Sequence, residues 1–319
     1  MPNFNAWGNA YYSEKSNTSK LERWAELLRQ KYPVLKEEVQ RTVKQWNLQV
    51  RDHLRNETAL RLSIGTDTSQ VAVRVEDGFP YPLADVLGGH DRLAPLLLHK
   101  RTLEQTEHGI EIARRHFEQL SALVEPNFDD VELSKVGQWF HRVIRELNKT
   151  DITKQLANID QDILGAYYFR ESRVEIYWMA IGVVSLLYGI PVPALTTVVL
   201  AHELAHAYTH LGKDIDAKSW NTQKFAQADL AIVEGLAQFY TEVVCKKLFN
   251  RFPDALAAYE SLLEHQSAPY RVQLEWANGH DHQGEIIRFS MVHARTSEVT
   301  EYGAFADFIS QQERSIGRV

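Results

Sequence analysis

Apolar residues recur at helical spacing early in the chain: Leu21, Trp24, Leu27 and Leu28, then Leu35, Val39, Val43 and Trp46, with Pro33 between the groups. A period near 3.6 predicts helix over about residues 20–48, broken at the proline. The first 20 residues, polar and aromatic, read as irregular. Two runs then alternate apolar and polar, residues 59–64 and 71–75, with Gly65-Thr66-Asp67-Thr68 between them. A period of two on either side of a turn predicts a β-hairpin. Residues 78–95 hold three prolines and three glycines and are expected to be a loop and linker. A long charged helix with Leu97, Leu103, Ile110, Phe117 and Leu120 on one face is expected over 96–123, and another over 131–147.

The second half changes character. Residues 163–169 and 174–178 flank the polar Arg170-Glu171-Ser172-Arg173 and predict a second hairpin. A short apolar helix over 179–188 leads through Gly-Ile-Pro-Val-Pro into a further helix that stops at Gly212. A polar stretch separates it from a helix over 225–249, and the rest is helical with an interruption at 278–284. The expected fold class is α+β and mostly helical. Residues 1–150 form an N-terminal α/β region and 151–319 a second domain.

Composition narrows the function classes. An apolar fraction of 44% and a charged fraction of 24% are ordinary for a globular chain. The net charge of −7, without a basic block, argues against nucleic acid as main partner. A lone cysteine, Cys245, excludes an intrachain disulfide and fits a reducing, cytoplasmic setting, as does a start without a basic region and apolar run. Residues 176–201 carry no charge and are long enough to span a bilayer. Gly189, Pro191 and Pro193 break that run, so a buried helix pair is expected and no membrane span.

The chemistry centres on Leu200-Ala201-His202-Glu203-Leu204-Ala205-His206. Residues four apart share a helix face, so His202 and His206 can offer two imidazoles to one metal ion, with Glu203 beside them to take a proton from a bound water. Chance alone produces His-Glu-x-x-His in roughly one chain of this length in a hundred, so context must decide. A catalytic zinc wants three protein ligands and an open position. A third histidine six residues on is absent, because that position is Gly212. His210 shares the face, but it lies about 12 Å along the axis from His202 and reads as a surface or supporting residue. Glu234, in Ile232-Val233-Glu234-Gly235-Leu236-Ala237-Gln238, is a carboxylate in an apolar helix. Taken alone it reads equally as an exposed glutamate on a stripe with Gln227 and Gln238. Beside the two histidines the ligand reading is preferred, and Gly235 would let the two helices approach closely.

His-Glu-Leu-Ala-His followed by Val-Glu-Gly-Leu-Ala-Gln-Phe resembles the gluzincin clan of zinc metallopeptidases, and over residues 160–250 the order of elements is similar to a minigluzincin core. The resemblance implies a zincin-like domain with Zn2+ held by His202, His206 and Glu234 and with Glu203 as general base. It implies that the strand at 174–178 borders the cleft and pairs with an extended peptide or protein substrate. Many gluzincins carry an aspartate four residues after the ligand glutamate, where this chain has Gln238. They also use a downstream Tyr or His on the oxyanion. The candidates here are His293, then Arg288, Arg295 and Tyr302, while His280 and His282 read as a solvated loop and Asp214 and Asp216 as support for the metal histidines. The expected function is zinc-dependent peptide hydrolysis. The alternatives are a metal-binding regulatory or interaction protein on a peptidase-like core, and a zinc hydrolase of non-peptide amides.

Overall fold

The structure is a computed structural model that describes residues 18–62, 71–120, 130–159 and 162–316. The irregular start and the turn expected at 65–68 lie outside these residues. Helix α1 (Thr18–Lys31) and helix α2 (Leu35–Thr58) flank Pro33 as the periodicity predicts. One face of α2, from Leu35 through Val39, Val43, Trp46 and Val50 to Leu54, is buried. The helix stops at Ala59, which takes the left-handed conformation at φ 55°.

The first hairpin does not form among the described residues. Strand β1 (Ala72–Glu76) instead pairs in parallel with a strand a hundred residues on, with Ala72 opposite Arg173 and Glu76 opposite Tyr177. Arg61, from the other alternating run, makes an isolated antiparallel bridge to Lys213, with N–H to carbonyl distances of 3.0 and 2.8 Å. Alternation identifies a strand face but not its partner. The expected loop at 78–95 is also different. It contains helix α3 (Tyr81–Gly89) and the short helix α4 (Ala94–Leu98), each with its proline in the first turn, where a missing N–H is harmless. Leu83, Leu87 and Leu97 are fully buried, so the segment belongs to the core.

Helices α5 (Lys100–Leu120) and α6 (Asp130–Asn148) pack on each other, and α7 (Ile152–Ala157) leads to the second hairpin, β2 (Gly165–Tyr168) and β3 (Arg173–Tyr177). β2 and β3 are antiparallel, and the sheet order is β1-β3-β2. β3 is therefore paired on both sides. Among the described residues the edge strand on this side of the sheet is β2, not residues 174–178 as expected.

The uncharged run at 176–201 supplies helix α8 (Trp178–Tyr188) and the first half of α9 (Val192–Leu211). Gly189 ends α8 at φ 69°, which favours glycine, and Pro193 occupies the first turn of α9. No helix among the described residues is long and apolar enough to cross a membrane. Every residue of α9 from Ala194 to His210 is buried, because α2, α8, α11, α12 and β2 surround it. Its buried Thr196 and Thr197 hydroxyls donate to the Val192 and Pro193 carbonyls at 2.7 and 2.8 Å, which removes their desolvation cost.

The helix expected over 225–249 is two helices, α10 (Thr222–Gln227) and α11 (Leu230–Leu248). Ala228 is extended between them, and the Asp229 N–H donates to the Thr300 carbonyl at 2.8 Å instead of continuing the helix. Helices α12 (Pro253–Leu263), α13 (Gln283–Thr296) and α14 (Tyr302–Ile316) complete the chain. One continuous cluster of buried side chains runs from Trp24 to Ile309, so residues on both sides of position 150 share it.

Gly235 serves a different neighbour from the one expected. A Cβ there would lie 2.4 Å from the Trp276 ring and 2.7 Å from Val272, so the glycine makes room for the segment after α12 rather than for α9. Trp276 is itself fixed by Phe305, at 5.2 Å between ring centroids, and by a 3.2 Å bond to the Tyr302 hydroxyl. Gly235→Ala gains about 1 kcal/mol of helix propensity but overpacks this contact by more. A net destabilisation of about 1–2 kcal/mol is expected in urea unfolding.

Candidate metal centre

The i, i+4 spacing on α9 brings the His202 and His206 rings together, nearly perpendicular, with Nε2 atoms 3.1 Å apart. Two imidazole nitrogens at that distance need a proton or a cation between them. Glu234 reaches them from α11. Its Oε2 lies 3.2 Å from His202 Nε2 and 3.5 Å from His206 Nε2, and its side chain has no exposed surface. Neither Glu234 oxygen makes an aligned hydrogen bond, although both are buried. The helix carboxylate thus faces the histidines, as the ligand reading preferred beside His202 and His206 expects.

The structure adds a residue that the sequence reading missed. Asp162, just before β2, places Oδ1 3.5 Å from His202 Nε2 and Oδ2 3.8 Å from His206 Nε2. Asp162, His202, His206 and Glu234 each offer one ligand atom, and the four atoms lie within 4.8 Å of one another. This group can hold a metal ion. Two carboxylates and two neutral imidazoles suit a divalent ion in charge, and oxygen and nitrogen donors suit several metals.

Glu203 leaves α9 on a neighbouring side. It is buried against β2, where a Cβ on Gly165 would lie 2.9 Å from Glu203 Cγ and 3.0 Å from its Oε1. The Tyr167 N–H donates to its carboxylate. Only a glycine at 165 lets the strand pass this close. Burial, and next the Asp162 charge, raise the Glu203 carboxyl well above its ordinary range. Burial would raise Glu234 too, but the His206 and His202 rings, when charged, pull it below its ordinary range. Asp162 and Glu234 raise His202 well above its usual value against the opposing effect of burial.

His202, Glu203 and Asp162 open onto one cavity of about 110 Å3 with mostly apolar walls, among them Val198, Val199 and Leu262. Tyr270 lies on the same wall, with its hydroxyl 3.5 Å from Asp162 Oδ1 and its ring stacked 6.3 Å from that of His202.

The other expected site residues are elsewhere. His293 stacks on Phe308 at 3.9 Å and is 3.2 Å from the Ser297 hydroxyl, between α13 and α14. Arg295 donates to the Gly212 and Lys218 carbonyls and so clamps the end of α9. Tyr302 accepts from Trp276, and Arg288 is half-buried on α13. None of these four lines the cavity. Gln238 does, but its amide donates to Gln266 at 3.0 Å, and the Nδ1 atoms of His202 and His206 have no hydrogen-bond partner among the described residues. Asp214 accepts from the Asp216 and Lys218 N–H groups within its own loop. His280 accepts from the His282 N–H, and His282 is exposed.

Of the two readings of His210, surface or supporting, the surface one is excluded. The side chain is fully buried, bonded to the Tyr167 hydroxyl at 2.9 Å and to Thr222 at 3.1 Å, and stacked on Phe225 at 4.5 Å. It ties β2 and α10 to α9.

Comparison with known proteins finds no match: no family model, no curated protein and no solved structure aligns with the chain. The reading of the centre therefore stands on its geometry.

Two expectations follow. The purified protein binds one divalent ion per chain by elemental analysis, and Glu234→Gln, which keeps the volume and removes the charge, weakens binding roughly tenfold or more. For His210, burial and then the Arg295 charge lower the pKa from 6.5 to about 4. The unfolded chain thus binds more protons between these values, and stability falls as pH drops through that window, by on the order of 3 kcal/mol at most. In chelator-treated protein, the urea midpoint of His210→Gln changes less between pH 7 and pH 4 than that of the parent.

Proposed function

We propose that the chain is a zinc-dependent hydrolase of peptide bonds. The observation that carries this reading is Glu234: a fully buried carboxylate with no aligned hydrogen bond, 3.2 and 3.5 Å from the Nε2 atoms of His202 and His206. Ligand atoms about 2.0–2.2 Å from a tetrahedral zinc sit about 3.4 Å from one another. The spacings among His202 Nε2, His206 Nε2 and Glu234 Oε2 run from 3.1 to 3.5 Å, which fits that ion, and with Asp162 the four ligand atoms lie within 4.8 Å of one another. The gluzincin resemblance of the two helices points the same way. The unpartnered Nδ1 atoms are a departure, because metal-bound imidazoles commonly donate there.

A bound zinc ion would supply Lewis acidity to a water and to a substrate carbonyl. Glu203 takes the proton of the attacking water and returns it to the leaving nitrogen. Its position against β2, fixed by Gly165 and the Tyr167 N–H, aims the carboxylate without another charged side chain. Tyr270 is better placed than His293 to donate to the developing oxyanion, because it shares the cavity wall with His202. An extended peptide would lie beside β2 and turn an apolar side chain into the cavity. Backbone pairing binds with little sequence selectivity, so the cavity supplies the preference.

One observation favours the second reading, a metal-binding regulatory or interaction protein. Four protein donors surround the centre, and structural zinc sites are closed in this way.

Glu203→Gln separates the two. It should keep zinc and lose hydrolysis of a fluorogenic peptide mixture by at least a hundredfold, in line with the loss of a general base. Turnover equal to the parent would rule out the peptidase mechanism. Gly165→Ala should push Glu203 aside and lower turnover at unchanged metal content.

A further inference from the structure

Asp162 differs from the other three donors in every respect that governs release. His202 and His206 are held on one long buried helix and Glu234 on another, whereas Asp162 sits on non-helical backbone just before β2. Its side chain is 23% exposed, against 8, 3 and 0% for His202, His206 and Glu234. Its oxygens stand farther from the imidazole nitrogens, 3.5 and 3.8 Å, than the Glu234 oxygen does, 3.2 and 3.5 Å. It lines the cavity, as His202 does and as His206 and Glu234 do not, and Tyr270 stands beside it.

We infer that Asp162 is a displaceable fourth ligand: it closes the metal centre in the resting protein and must withdraw before a substrate can reach the ion. This rests on the metal-dependent hydrolase reading above. Charge supports the division of labour. Asp162 and Glu234 together neutralise a divalent ion. With Asp162 withdrawn, two neutral imidazoles and one carboxylate leave a net positive charge at an open position, the donor set of a catalytic centre. Closure by a local residue would hold the ion tightly and limit hydrolysis until an extended peptide lies beside β2, which begins three residues after the aspartate.

The test uses the full-length chain, Asp162→Ala and Asp162→Asn, the last preserving side-chain size. Each is stripped with chelator and reloaded with Zn2+ or with Co2+, whose visible absorption reports coordination. Zinc affinity from competition with a chromogenic chelator should fall roughly tenfold or more in both variants. Azide should alter the Co2+ spectrum of the variants at concentrations at least tenfold lower than in the parent. Peptide turnover per bound zinc should rise in the variants. Equal zinc affinity and equal azide response in parent and variants would overturn the assignment of Asp162 as ligand. An opened centre with turnover below that of an active parent would overturn its role as a latch. An opened centre in a set of proteins that hydrolyse nothing upholds the ligand and removes the peptidase reading, so the two failures are distinct.

Discussion

A carboxylate without exposed surface sits between two helices, facing two imidazole nitrogens, and neither of its oxygens makes an aligned hydrogen bond. Burying an ionised group in this way costs several kcal/mol unless a counter-charge is supplied. Protonated histidines can supply part of it, but two imidazolium rings with nitrogens 3.1 Å apart would repel each other. A divalent cation among the four donors satisfies all of them at once. The surrounding architecture follows from keeping water out of this place. α9 is enclosed along nearly its whole length, and its buried Thr196 and Thr197 hydroxyls are bonded to its own carbonyls. Five buried polar atoms without a hydrogen-bond partner belong to the centre, His202 Nδ1, Glu203 Oε2, His206 Nδ1 and both oxygens of Glu234, and others lie elsewhere, on Trp220, Tyr240, Ser267, Gln273 and Arg295.

β2 is the second element on which the centre depends. Gly165 brings the strand against Glu203, Tyr167 donates its N–H to the Glu203 carboxylate, and the Tyr167 hydroxyl reaches His210 one turn beyond the second ligand. One short strand thus orients the proposed base and fixes the end of the ligand helix, while Asp162 lies on the chain leading into it. The sheet supports this arrangement from behind, because β3 is held on its far side by β1 from the N-terminal half.

Much of the centre was legible because its chemistry is local. His202 and His206 share a face by helical period alone, and Glu234 stands out as a charge in an apolar helix. Asp162 was not legible. It lies in a polar stretch without periodicity, Asn158-Ile159-Asp160-Gln161-Asp162, where nothing separates one carboxylate from another. The parallel pairing of β1 with β3 was missed for a related reason: alternation marks a strand, but the partner is chosen by packing across a hundred residues. The Pro- and Gly-rich stretch at 78–95 misled because Pro82 and Pro95 start helices instead of breaking them. His210 allowed a surface reading since a histidine near a helix end is usually solvated, and the aromatic cage of Phe169 and Phe225 that buries it comes from distant segments.

Tight retention of an ion and use of it in catalysis make opposite demands. Four protein donors hold a divalent ion firmly but leave no position for water or a carbonyl, and three donors leave the position but release the ion more readily. A centre with three donors on long buried helices and a fourth on the edge of an open cavity can meet both demands in turn. The rigid three set where the ion sits, because moving any of them would disturb the packed core. The fourth can leave at the cost of only its own contacts. This asymmetry follows from where each residue lies in the fold: α9 and α11 form the interior, and Asp162 lies where the chain passes from α7 to β2.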